Sequence, residues 1–289
     1  VLTPVLAALA GWYLEMAGPD PATHGWLARE IAKAEVSRFF TRSSQVMAVL
    51  LLWPLIRCVR PGGSALLPPF RPVISGLRHY GAGFALAAGL LLALGAALCW
   101  QGLFRLRADT PWGGIGGPLT AALGAGILEE IFFRGFILAL LLRSWPPPRA
   151  ALACSLLFAA VHFLRPPAAW EHGLAGTEWF SGFAALGAVA GQWTNAHFLL
   201  AEFATLFAVG WVLALARLRT GRLWLSMGLH GGWVFGLQYF SVIAHGSKAL
   251  RAGDHLPWFG SNLKIGLASL VVVSITGWIA LRLPARRED

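Results

Sequence analysis

Gly126–Arg143 reads GILEEIFFRGFILALLLR, a helix-length apolar run interrupted by Glu129, Glu130 and Arg134. In a bilayer, an ionised side chain at the midplane costs about 2.5–3.5 kcal/mol on insertion scales. Three such groups facing lipid would prevent insertion, so they must turn into a protein interior and pair. Glu130 and Arg134 are four residues apart and share a helix face. Glu129 lies about 100° around the helix from Glu130. The spacing therefore predicts that Arg134 clamps Glu130 while Glu129 points into a separate cavity, available for chemistry. A purely structural ion pair is the competing reading for Glu130–Arg134. It explains Glu129 less well, because the run holds two carboxylates and one arginine before its end.

The surrounding sequence favours lipid as the main solvent. Of 289 residues, 57% are hydrophobic and 12% charged, against about 25% charged in soluble domains; the mean hydropathy is +0.64. The net charge of +10 raises nucleic acid as a partner. The arginines nevertheless flank apolar runs, as at Arg57/Arg60, Arg217/Arg219/Arg222 and Arg286/Arg287, where they anchor helices at headgroups. No nucleic-acid partner is expected. Cys58, Cys99 and Cys154 form no C-x-x-C and read as small buried hydrophobes.

Runs of roughly spanning length are Leu2–Met16, Ser44–Ile56, Tyr80–Leu103, Pro118–Leu142, Ala150–Leu164, Phe198–Ala216, Leu223–Ala244 and Leu263–Leu281. They predict an all-α, polytopic membrane protein: one domain over 1–289, with about eight spans in one bundle. The Gly/Ala-rich Trp179–Trp193 reads as a re-entrant or interfacial piece. Trp26–Phe40 reads as an amphipathic interfacial helix. Proline clusters such as Pro146–Pro148 mark the connections. A slight excess of Lys and Arg on the side of the termini places both in the cytoplasm by the positive-inside rule.

Two further ionisable groups fall inside spans: His162, in ALACSLLFAAVHFL, and His230, in LWLSMGLHGGWVFGLQYF. One histidine in a helix is usually a packing residue. Glu129, His162 and His230 on three separate spans suggest a shared site, because intramembrane ionisable groups are functional candidates. Gly228, Gly231 and Gly232 let another helix or a substrate backbone approach His230 closely.

Glu129-Glu130-x-x-x-Arg134, then Phe158-x-x-x-His162, then His230 resemble the CAAX-protease and bacteriocin-processing family of intramembrane proteases. The resemblance covers about Pro118–Tyr239, with a catalytic-core-like region at 118–243. It implies an eight-helix bundle in a bacterial cell membrane that hydrolyses a peptide bond of a membrane-associated or lipid-linked substrate. Glu129 would activate water, His162 would assist, His230 would stabilise the oxyanion, and Glu130 with Arg134 would support the site. The family's Asn or Asp four residues after the last histidine is replaced here by Val234. That substitution leaves turnover in question, with Trp233 or Gln238 as stand-ins.

A metal-free glutamate–histidine mechanism is favoured. If zinc is present, Glu129, His162 and His230 would make a His₂Glu set. Two other functions compete: a non-catalytic binding or self-immunity protein on the same scaffold, and a proton-coupled transporter. The chain shows no two-halves repeat of the transporter kind.

Overall fold

The computed structural model describes residues 2–17, 73–109, 112–164, 181–196, 199–252 and 254–282. The chain divides into two compact units, one of 1–62 and 161–195, the other of 63–160 and 196–289.

The first unit contains α1 (Leu2–Ala17) and α6 (Ser181–Gln192), which contact each other. Ala7 and Ala10 of α1 are buried, whereas Leu9, Trp12 and Met16 are exposed. After α6, Trp193 meets Phe163 edge-on, with ring centroids 6.4 Å apart. With 12 residues, α6 rises about 18 Å and is too short to cross a bilayer alone. The expected interfacial helix at Trp26–Phe40 and span at Ser44–Ile56 lie outside the described residues.

The second unit is built on α2 (Val73–Trp100) and α8 (Trp224–Ile243), which pack along their lengths. Small residues make this possible. A Cβ on Gly228 would run into the Tyr80 carbonyl, and one on Gly232 into the Phe84 backbone. The glycines flanking His230 thus serve helix approach, one of the two uses expected for them. The opening stretch belongs to a column built in pieces: α3 (Gly116–Gly124), π-helical turns at Ala125–Glu129 and Ile131–Ile137, and α4 (Leu138–Leu141); α3 and the first π turn pack on α8. Gly126 seats this column on α8, because a Cβ there would lie 3.1 Å from the Gly231 Cα. Helix α5 (Pro147–His162) follows, its last two residues falling in the first unit. A π-helical turn at Leu199–Phe203 leads into α7 (Ala204–Thr220), and α9 (Lys248–Ala252) and α10 (Leu267–Ala280) complete the unit.

Among the described residues the fold is mostly helical, with one departure from all-α. β1 (Phe104–Leu106) and β2 (Ala244–Gly246) pair antiparallel, with Arg105 opposite His245. The chains leaving the packed helices α2 and α8 emerge side by side, so their extended exits meet. Phe104 packs edge-on against Phe240 at 5.1 Å. Arg107 donates to the Val242 and Ser241 carbonyls at 2.8 and 3.2 Å, satisfying groups that a helix end leaves open.

The expected count of eight spans is not reproduced. Among the described residues, Val73–Trp100 and Leu199–Thr220 are long and apolar enough to cross a membrane; Val5–Met16 and Leu267–Ala280 are apolar but shorter. The reasons differ by segment. Helix α5 has 16 residues and rises only about 24 Å. Helix α8 is longer, but its glycines, His230 and Gln238 dilute its apolar character. The opening stretch is broken by π turns and carries three charges. Large apolar side chains nonetheless face outward from the second unit, including Ile74, Leu128, Val271 and Trp278.

Candidate active site

Each polar group of the site is delivered by an apolar helix. Glu129 closes the first π-helical turn, Glu130 follows it, and Arg134 lies within the second. Such π-bulges are frequent at functional sites, because they shift the register of the side chains they carry. Arg134 and Glu130 are fully buried. Arg134 Nη1 donates to Glu130 Oε1 at 2.7 Å, the i,i+4 pair expected from the sequence. Arg134 Nη2 donates to the Gly210 carbonyl of α7 at 3.0 Å. Glycine at 210 lets α5 come close, since a Cβ there would lie 3.1 Å from Ser155 Cα and Phe158 Cδ1.

His230 is buried on α8. Its Nδ1 lies 3.0 Å from Glu130 Oε1. An ionised carboxylate only accepts, so Nδ1 carries the hydrogen of this bond. In neutral imidazole that leaves Nε2 as an acceptor. Nε2 faces Glu129 Oε2 across 3.9 Å, and the Glu129 side chain is 36% exposed against 5% for His230. Neighbouring carboxylates of one helix therefore address the two nitrogens of one imidazole. The two carboxylates stand at the junction of two π turns.

Phe158 forms the wall of the site. Arg134 Cζ lies 4.3 Å from its ring centroid, and its ring meets His230 at 5.7 Å and Phe133 at 5.1 Å, both edge-on. The Phe of F-x-x-x-H thus packs on both a guanidinium and an imidazole, a role its spacing alone did not disclose. Cys154, one turn earlier, is buried, and its thiol points at the Phe133 carbonyl at 3.4 Å. The bland reading of this cysteine as a small buried side chain fits.

Four of the five residues singled out from the sequence, Glu129, Glu130, Arg134 and His230, come together in the second unit. His162 is half-buried at the end of α5 and belongs to the first unit. Val234 is half-buried one turn after His230, and Gln238 is exposed. Trp233 is buried, and its Nε1 has no hydrogen-bond partner among the described residues. Tyr80 was not singled out, yet its hydroxyl is also buried without a partner there. Among the described residues, no three His, Cys, Asp or Glu side chains gather as a metal-ligand set. Within the second unit, Glu129 and His230 supply two donors, one fewer than the three protein ligands of a catalytic zinc.

Glu129, Glu130, Arg134 and His230 thus bring groups capable of acid–base chemistry together on apolar helices. The comparison with known families is more specific. Residues 110–236, somewhat under half of the chain, match the family model described as Type II CAAX prenyl endopeptidase Rce1-like. The recognition of the CAAX-protease family from E-E-x-x-x-R, F-x-x-x-H and the later histidine holds over this stretch, which contains all of them. No curated protein and no solved structure gives a match.

Proposed function

We propose that this protein is an intramembrane endopeptidase whose water-activating pair is Glu129 and His230. The observation that carries the reading is the 3.9 Å gap between Glu129 Oε2 and His230 Nε2. This gap is too long for a direct hydrogen bond and suits a water held by both atoms. Glu129 takes one proton from that water, and the oxygen attacks the scissile carbonyl carbon. The proton then passes to the leaving amine as the C–N bond breaks. Glu130, held by Arg134, fixes the imidazole by its Nδ1 hydrogen bond, much as a buried carboxylate orients the base in serine hydrolases. The family resemblance gives His162 an assisting part in the proton transfer. Protonation of His230 would turn Nε2 into a donor to the oxyanion.

The substrate is a membrane-associated peptide, with a prenylated CAAX peptide as the first to try, given the family match. The protein is placed as a multi-pass protein of a bacterial cell membrane, around a polar cavity and with both termini cytoplasmic. No step is routed through a metal.

The test is cleavage of a farnesylated CAAX reporter peptide by the full chain in vesicles. Glu129→Gln and His162→Ala should each lower the rate about 10²–10⁴-fold, the usual worth of acid–base catalysis, with circular dichroism unchanged. Full activity in both variants would remove the proposal. Val234 favours one second reading, a weakened or non-catalytic binding protein. Val234→Asn should raise the rate if the enzyme is merely weakened. No gain from an inactive parent supports binding alone.

A further inference from the structure

With His230 neutral, the acid–base pair leaves one requirement of amide hydrolysis unmet. The tetrahedral intermediate needs a hydrogen-bond donor at its oxyanion, and in neutral His230 neither nitrogen is such a donor. Nδ1 is engaged by Glu130 at 3.0 Å, and Nε2 faces Glu129. Val234 offers no donor either.

On α8, Val234 lies about 40° from His230 and about 60° from Gly231, between the two. Trp233 lies on the other side of His230, about 160° from Gly231. The Gly231 face is therefore the side on which a donor is wanted. A Cβ on Gly231 would lie 3.3 Å from the Tyr80 hydroxyl and 3.2 Å from the Ala122 carbonyl, and Gly126 packs against the same residue. The hydroxyl thus sits where α2, α8 and the helix column carrying Glu129 meet. It is buried and has no hydrogen-bond partner among the described residues, although buried polar atoms nearly always have one. Its ring stacks on Phe84 with centroids 6.2 Å apart, and its carbonyl is clasped by Gly228.

We infer that Tyr80 is a catalytic residue whose hydroxyl donates to the substrate's scissile carbonyl oxygen and strengthens that bond as the oxyanion forms. The missing partner of the hydroxyl is the substrate. This rests on the endopeptidase reading and adds to it a residue outside the matched stretch 110–236.

Tyr80→Phe removes the oxygen and keeps the ring on Phe84. Cleavage of the farnesylated CAAX reporter by the full chain in vesicles should show kcat lowered about 10²–10³-fold, the worth of one oxyanion donor, with KM nearly unchanged. Binding of a phosphinic peptide, a tetrahedral mimic, should weaken in the same variant, while binding of the uncleaved reporter to Glu129→Gln/Tyr80→Phe stays as in Glu129→Gln. If the parent cleaves, Glu129→Gln abolishes cleavage and Tyr80→Phe retains kcat, Tyr80 is overturned and the endopeptidase stands. If the parent neither cleaves the reporter nor binds the phosphinate, both are overturned.

Discussion

Glu130 Oε1 accepts from Arg134 and from His230 at once, so two helices depend on one oxygen. Removing one partner of a buried ion pair strands the other charge, which costs about 3–5 kcal/mol. Arg134→Ala should therefore destabilise the protein by about that amount, with a further loss from the cation–π contact with Phe158. Detergent-solubilised unfolding followed by circular dichroism measures it. The double variant Glu130→Leu/Arg134→Met should recover much of the stability, because apolar replacement of a buried pair is often neutral. It should not recover cleavage, because His230 loses its Nδ1 acceptor. Recovery of both would mean that Glu130 serves packing alone. At this scale the pairing of Glu130 with Arg134 was legible, since i,i+4 neighbours in one helix need no tertiary information. The contacts of His230 were not, because its partners lie 100 residues away in the chain.

At the scale of the element, the pairing of α2 with α8 sets where His230 stands. Gly228 and Gly232 admit the α2 backbone at Tyr80 and Phe84. Gly228→Leu should separate the helices and abolish both thermal stability and cleavage. Gly221→Ala, at a left-handed position after α7 with φ of +66° and open space around its Cβ site, should cost only its backbone strain, about 1–2 kcal/mol. Comparable melting losses in the two variants would remove the argument from close packing. The sequence supports such glycines equally as helix contacts or as room for substrate, and only the neighbouring helix decides between them. The π turns around Glu129 and Glu130 were also hidden. Each adds a residue to a turn, and the glycines in and beside them, Gly124, Gly126 and Gly135, do not by themselves tell a π turn from an α turn.

At the scale of the whole molecule, the outward apolar side chains and the two helices of spanning character imply that the chain resists extraction. Carbonate washing of membranes should leave it in the pellet, and a non-ionic detergent should release it; release by carbonate would overturn the integral-membrane assignment. Composition determined the helical, lipid-facing character of the chain, because a sequence so poor in charge cannot cover itself for water. The motifs E-E-x-x-x-R and F-x-x-x-H, followed by His230, pointed to the family whose model matches residues 110–236 and named the groups capable of acid–base chemistry. Tertiary structure decided the rest: that Glu129 and Glu130 share His230, that Phe158 touches both imidazole and guanidinium, and that a tyrosine hydroxyl without a partner among the described residues lies against Gly231. Periodicity reports which face of a helix is apolar. It carries no information about which distant helix lies against that face, and the site is made of such contacts.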